Sequence, residues 1–184
     1  RTPIGSFQGS LKDHKATELG TVVVKKCMEH SKLSGSDVDT IFLGQVLQAG
    51  CGQNPARQVA LGSGLPVSTP ATTINKVCGS SLEAAMLASN SIRAGHSKVI
   101  IAGGMESMSN APQLLMGQRR GKKMGDSKLV DSMIHDGLWD VYNDIHMGNT
   151  GETVANVSDI SRNDSDEFAV QSHLRAAKAW DSGW

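Results

Sequence analysis

The fold is decided by the stretch TTINKVCGSSLEAAMLASNSIRAGHSKVIIA, residues 72–102. Residues 72–77 and 98–102 are rich in β-branched side chains and predict two strands. Residues 80–94 predict a helix, because related faces carry Leu82, Ala85, Met86, Ser89 and Ile92. Strand, helix and strand within about 30 residues form a βαβ unit, which implies parallel pairing and a right-handed crossover.

Two further helices and a strand are predicted upstream of this unit. Residues 16–30 have the spacing of an amphipathic helix, and residues 38–47 have the Val, Ile, Leu and Phe content of a buried strand. Asn54 and Pro55 then open a short helix, because Asn accepts a bond from the first turn and Pro fits the first helical position. These elements predict an α/β fold that begins near the start of the chain.

The spacing of apolar residues changes downstream of the βαβ unit. Residues 105–128 show no clear period. Helical patterning returns in residues 130–137, 151–159 and 165–180. We therefore predict an α/β domain over residues 1–108 and part of a helix-and-loop domain over residues 109–184.

Composition excludes several classes of protein. The chain has 184 residues, 39% of them hydrophobic, and its 18 basic residues balance its 18 acidic ones. A balanced charge gives no general attraction to nucleic acid or to an anionic membrane. No window reaches the roughly 18 to 20 apolar residues of a membrane span. We therefore expect a folded chain in which an anionic ligand is held only by a local patch of basic residues.

The cysteines are odd in number and carry no paired spacing. Cys27, Cys51 and Cys78 lie far apart without a CxxC motif, which disfavours a disulfide framework and a zinc site. We expect reduced thiols in an intracellular compartment and no metal.

Cys78 is the candidate nucleophile. It stands where the strand of residues 72–77 passes through Gly79 into a helix, and the positive end of that helix favours the thiolate. The helix N–H groups also suit the oxyanion that forms when sulfur attacks a carbonyl. The alternative is a small buried side chain at the end of a strand. Spacing alone leaves both interpretations open.

A resemblance to a known family favours the nucleophile. The matching blocks are residues 1–5 (RTPIG), 53–58 (QNPARQ), 75–84 (NKVCGSSLEA), 103–109 (GGMESMS), 146–148 (HMG) with Glu152, and 166–169 (DEFA) with Ser172 and His173. In these blocks the chain resembles the N-terminal portion of the thiolases, over essentially its whole length. The resemblance implies a thiolase-like α/β fold, a mixed β-sheet with helices on both faces, of which only the N-terminal half is expected here.

The resemblance also implies an activity. Thiolases pass an acyl group from coenzyme A to the active-site cysteine, and then either condense it with a second acyl-CoA or run the cleavage in reverse. The chain is most similar to the short-chain members, so we expect an acetyl-CoA C-acetyltransferase acting on acetyl-CoA, acetoacetyl-CoA and free coenzyme A. No cofactor is expected besides these thioesters. A homodimer or homotetramer is implied for the full-length protein.

Further site residues follow from the resemblance. His146 and Met147 match a pair that lines the acyl and pantetheine pocket, and Leu138 matches a residue that packs on the coenzyme A arm; ordinary core packing is the alternative for Leu138 and Met147. The basic cluster lies where short-chain thiolases carry an assembly and cationic loop, and it comprises Arg119, Arg120, Lys122 and Lys123. This cluster would face coenzyme A phosphates or a neighbouring subunit, or form a solvated loop.

Three points qualify the resemblance. Ser81 stands where thiolases usually have a second Gly, and Ser is small enough to be tolerated there. The family's second cysteine, activating histidine and water-holding asparagine belong to blocks beyond Trp184, so residues 1–184 alone are not expected to complete a turnover. The rival interpretations are a ketoacyl synthase and a non-catalytic lipid-binding or assembly module, and the compartment is left open between cytoplasm, mitochondrion and peroxisome.

Overall fold

A computed structural model describes residues 1–183. The chain divides into two compact units, Arg1–Gly137 and Leu138–Trp184. The boundary that the sequence predicts after residue 108 stays a prediction.

The first unit is built on a three-stranded parallel sheet in the order β2-β1-β3. Its strands are β1 (Thr40–Gly44), β2 (Ala71–Ile74) and β3 (Ile100–Gly104). The two strands of the predicted βαβ unit are parallel, but they do not pair with each other, because β1 lies between them. Strand β1 is the most deeply buried of the three, which suits the central position of a parallel sheet.

Three helices accompany this sheet, α1 (Ala16–Ser31), α2 (Pro55–Gly62) and α3 (Ser80–Arg93). Helices α1 and α2 share a hydrophobic core with Ile41 and Leu43 of β1. Helix α3 contacts β1 and β3, and its buried residues lie outside that cluster. The predicted α/β class is confirmed, with each helix within a few residues of its predicted bounds.

Asn54 begins α2, as expected from the Asn-Pro pair. Its side-chain oxygen accepts a bond from the backbone N–H of Arg57 at 3.2 Å and from the hydroxyl of Thr73 at 2.8 Å. Its amide nitrogen donates to the carbonyl of Ala71 at 3.0 Å. The cap therefore also ties α2 to β2.

The aperiodic stretch after β3 contains a small hairpin. Strand β4 (Gln113–Leu115) pairs antiparallel with β5 (Leu129–Asp131), and a π-helix follows over Met133–Leu138. The helix predicted for residues 130–137 was therefore wrong in its first residues, which pair with β4 instead of forming a helical turn. Residues 1–137 also contain three short 3-10 helices, at Gly35–Asp37, Met108–Asn110 and Gln118–Arg120.

The second unit holds a two-stranded hairpin and two helices. Strand β6 (Trp139–Asp140) pairs antiparallel with β7 (Ile145–His146), and α4 (Met147–Val157) and α5 (Arg162–Asp181) follow. Helix α4 begins four residues before its predicted start and ends at Val157, two residues before its predicted end, whereas α5 extends beyond its predicted bounds at both ends. Within residues 1–183, no helix has the length and apolar character needed to cross a membrane.

Candidate active site

Cys78 lies in the short connection between β2 and α3. The strand predicted to reach Val77 ends at Ile74, because the side-chain oxygen of Asn75 accepts the backbone N–H of Val77 at 3.0 Å and the chain turns. Cys78 is exposed, whereas the alternative of a buried strand-end side chain would require it to be covered. Its thiol is therefore accessible to a reagent from solvent.

The hydroxyl of Ser80 stabilises the same turn. It accepts the backbone N–H of Lys76 at 2.9 Å and donates to the carbonyl of Val77 at 2.6 Å. Ser80 is buried, with 4% of its surface exposed, so water has little access to its side chain. Ser80, the first residue of α3, is thus bonded to the backbone of Lys76 and Val77, which precede Cys78.

The start of α3 has no side-chain cap, since Gly79 occupies the N-cap position. The backbone N–H groups of Gly79 and Ser80 donate to the carbonyls of Lys76 and Val77 at 3.0 and 3.1 Å. These two donors are engaged within the turn, so an oxyanion site at the helix start stays a prediction. The first-turn carboxylate of Glu83 accepts a bond from the Lys76 ammonium.

Two glycines let the helix start approach the end of the sheet. A Cβ on Gly44, the last residue of β1, would lie 2.6 Å from the Cβ of Ser80. A Cβ on Gly104, the last residue of β3, would lie 2.9 Å from the Cβ of Ser81. The Ser81 side chain therefore fits because its neighbour Gly104 has none.

Glu106 follows β3 and binds a different loop. Its carboxylate oxygens accept the backbone N–H groups of Val46 at 2.9 Å and of Leu47 at 3.2 Å. Burial raises the pKa of Glu106, and these two bonds only partly oppose that effect. Glu106 thus stabilises the turn after β1 and makes no bond to the Cys78 connection.

The predicted pocket residues of the second unit share one end of its hairpin. Trp139 pairs with His146, so the same register carried one residue further would align Leu138 with Met147. Leu138 and Met147 are half-buried, whereas His146 is exposed. The Nδ1 atom of His146 accepts the backbone N–H of Gly148 at 3.0 Å, which caps α4. That histidine therefore has a structural bond independent of any ligand.

The basic cluster lies in the connection between β4 and β5 of the first unit. Arg119 and Arg120 belong to the 3-10 helix, and Lys122 and Lys123 follow it. All four side chains are exposed, and none of them forms an ion pair with another part of residues 1–183. Their charges are thus available to an anion from outside the loop.

The family is shown by comparison with known sequences. Residues 1–184 match the profile described as "Thiolase, N-terminal domain". The chain belongs to the thiolase family. Its similarity to curated thiolases extends over the whole chain.

Three relatives illustrate that similarity. Acetyl-CoA acetyltransferase of Cupriavidus necator is 54% identical over 183 residues, which are 100% of this chain and 47% of the relative. The mitochondrial acetyl-CoA acetyltransferase of Xenopus tropicalis is 51% identical over 100% of this chain and 43% of its own length. A probable acetyl-CoA acetyltransferase of Escherichia coli is 51% identical over 100% of this chain and 47% of its own length. The chain thus spans slightly less than half the length of these relatives.

The sequence did not predict the roles of Asn75 and Ser80, whose side chains bond to the backbone just before Cys78. An Asn just after a strand is a recognised turn signal, because its side chain can accept a backbone N–H two residues on. The role of Ser80 had no comparable signal. Within residues 1–183, no group of three or more His, Cys, Asp and Glu side chains is placed to share a metal ion.

Proposed function

We propose that the protein containing this chain is an acetyl-CoA C-acetyltransferase in which Cys78 carries the acetyl group. The observation that supports the proposal is an exposed cysteine at the start of α3, in a chain whose thiolase relatives carry that name. The ketoacyl synthase alternative has no comparable support.

The proposed reaction has two steps. The Cys78 sulfur attacks the carbonyl carbon of acetyl-CoA, a new thioester forms, and the coenzyme A thiolate leaves and takes up a proton. A second acetyl-CoA then gives up an α-proton to a base, and its α-carbon attacks the acetyl group. The bond between the acetyl carbon and the Cys78 sulfur breaks, acetoacetyl-CoA is released, and the cysteine thiolate takes up a proton. Thiolytic cleavage is the reverse. Residues 1–184 are assigned the acyl carrier alone, and no cofactor is proposed besides the thioester substrates.

Mass spectrometry of the full-length protein tests the acyl carrier. After mixing with acetyl-CoA and acid quenching, we expect one acetyl group on the peptide that contains Cys78. Cys27→Ala is the matched control, since Cys27 is also exposed, and it should be acetylated like the wild type. Acetylation that persists in Cys78→Ala, or that is absent from the wild type, would overturn the proposal.

We further propose that Leu138, His146 and Met147 contact the acyl and pantetheine part of the substrate. Shortening Met147 to Ala should relax the preference for acetoacetyl-CoA over longer 3-ketoacyl-CoAs by about 10-fold, because a pocket distinguishes single methylene groups by that order. Met124→Ala, in an exposed loop, is the control. An unchanged ratio of kcat/KM values would show that Met147 is ordinary packing.

The basic cluster of Arg119, Arg120, Lys122 and Lys123 is proposed to bind either the phosphates of coenzyme A or another subunit. Replacing all four by Gln should raise the KM for acetyl-CoA more than that for its analogue without the 3′-phosphate if the loop binds that phosphate. A change in sedimentation with unchanged KM would indicate the subunit contact instead. If neither quantity changes, the cluster is a solvated loop.

Location and assembly are proposals as well. We propose an intracellular location, since Cys27, Cys51 and Cys78 are all free thiols, which is typical of reducing compartments. A dimer or tetramer is proposed from the resemblance to thiolases, and sedimentation of the full-length protein tests it.

A further inference from the structure

The residue before Cys78 has an unfavourable backbone conformation. Val77 has a φ of 47°, in the left-handed region. Among residues 1–183, six residues other than glycine have a positive φ, and Val77 is the β-branched one among Gln8, Lys32, Asn54, Val77, Asp144 and Asp159. A β-branched side chain is strongly disfavoured there, because its Cβ substituents crowd the backbone. Surrounding bonds must therefore maintain this conformation.

Two side chains supply those bonds. Asn75 accepts the N–H of Val77 at 3.0 Å, and Ser80 donates to the carbonyl of Val77 at 2.6 Å. Ser80 also accepts the N–H of Lys76 at 2.9 Å, which fixes the preceding peptide. The backbone N–H and C=O of Val77 are thus both hydrogen-bonded, one on each side of its Cα atom.

Ser80 itself has little freedom to move. It is buried, and its Cβ lies against Gly44 at the end of β1. The sheet therefore determines the position of the hydroxyl, and the hydroxyl determines the position of the Val77 carbonyl. Cys78 follows directly and is exposed.

We infer that Asn75 and Ser80 form a clamp that holds Val77 in the left-handed conformation and thereby orients Cys78 for acyl transfer. The inference rests on the proposed role of Cys78. Asn75 and Ser80 are positioning residues, because they bond to the backbone of Val77 and take no part in breaking or forming the thioester. Misplacing a reacting atom by about 1 Å costs about 100-fold in rate.

Single-turnover acetylation of the full-length protein tests the clamp. Asn75→Leu and Ser80→Ala should slow acetylation of Cys78 by about 10- to 100-fold at saturating acetyl-CoA. The acetyl-CoA concentration for half-maximal rate should not change, because the clamp does not touch the substrate. Asn75→Asp should restore the rate, since its carboxylate oxygen accepts the same N–H. Asn90→Leu makes the same change on an exposed part of α3 and should leave the rate unchanged.

A double-mutant cycle with Val77→Gly shows whether the effect passes through Val77. Glycine adopts a positive φ readily, so the turn needs the clamp less. Asn75→Leu should therefore cost clearly less in the Val77→Gly background than in the wild type. Equal losses in both backgrounds would overturn the clamp, because residues that act through one another do not have additive effects.

The outcomes separate this inference from the proposed function. A wild type that takes no acetyl group on Cys78 overturns both. A wild type that is acetylated, with Asn75→Leu and Ser80→Ala reacting at its rate, overturns the clamp alone. Circular dichroism tests whether each variant is folded. If Ser80→Ala does not fold, the comparison of Asn75→Leu with Asn75→Asp, at an exposed residue, decides the question.

Discussion

The two units of this chain differ in how far their apolar side chains are buried. In the part of the chain that the structure describes, all thirteen buried hydrophobic residues lie between Ala16 and Met105, in the first unit. Between residues 138 and 183 none is buried, and the apolar side chains of Val157, Phe168 and Trp180 are 80%, 74% and 74% exposed. Regular secondary structure is present in both units, so helices and strands by themselves do not make a core.

The reason lies in the kind of hydrogen bonding that each unit uses. A parallel sheet joins strands that are far apart in sequence, and its faces must be buried by packed helices. Helices α2 and α3 pack on the sheet of the first unit, and α1 shares its hydrophobic core. The second unit uses local bonds, such as the cap of α5, where Ser161 and Asp164 bond to each other's backbone N–H. We therefore expect mutations in the first unit to act through packing and those in the second through local propensity.

The largest difference is expected for the same substitution at a buried and an exposed isoleucine. Ile41→Ala removes a fully buried side chain of β1 and should lower the free energy of unfolding by about 2–5 kcal/mol. Ile160→Ala, at a residue that is 44% exposed, should change it by less than about 0.5 kcal/mol. Urea unfolding followed by far-UV circular dichroism measures both, and comparable losses would contradict the distinction between the units.

Two glycine substitutions should have opposite signs. Gly44→Ala places a Cβ 2.6 Å from Ser80 and should destabilise by about 1–3 kcal/mol, because the start of α3 cannot move freely. Gly151→Ala lies within α4 with no neighbour within 4 Å and should stabilise that helix by about 0.5–1 kcal/mol. Thermal unfolding of the two variants compares the signs, and a stabilised Gly44→Ala would show that the close approach is not required.

The two helix caps should differ in cost. Asn54→Ala removes a cap that also joins α2 to β2, so we expect a loss of about 2 kcal/mol. Ser161→Ala removes a cap from a helix with no buried residue, and a loss of about 0.5–1 kcal/mol is expected. Urea denaturation gives both values; Ser161→Ala as costly as Asn54→Ala would indicate that the α5 cap also has a tertiary role.

The smallest expected effect is a dependence of the free energy of unfolding on pH. One carboxyl group in each unit contributes to it, and the two contributions change in opposite directions. Because burial raises the pKa of Glu106 above its ordinary 4.5, its contribution to stability is present below 4.5 and lost as the pH rises through the folded value. The bond from the Asn143 side chain lowers the pKa of Asp140 from 3.8, so its contribution is present above 3.8 and lost as the pH falls.

Comparison with Glu106→Gln and Asp140→Asn isolates these two contributions. The advantage of the wild type over Glu106→Gln should shrink as the pH rises, and its advantage over Asp140→Asn should shrink as the pH falls. Urea unfolding across pH measures both differences. Two differences with the same slope would show that one of the carboxyl groups has a different environment.

Most of the elements could be predicted from local signals. Helices α1, α2 and α3 followed from apolar periodicity and from the Asn54 cap, which act over a few neighbouring residues. The stretch of residues 130–137 failed because its spacing fits a helix locally, whereas Leu129–Asp131 finds strand partners in β4. A spacing pattern does not reveal a partner strand more than ten residues away.

The sequence alone determined the α/β class, the thiolase family and Cys78 as the candidate nucleophile, because periodicity and motif are properties of consecutive residues. Only the tertiary structure decided that β1 separates β2 from β3, and that Gly44 admits the Ser80 side chain at the end of the sheet. The left-handed Val77 depends on that arrangement, since no local preference of a valine leads to it. Ser80 bonds to Val77 locally, but its own position depends on Gly44 of β1, which is distant in sequence, and that contact exists only in the folded chain.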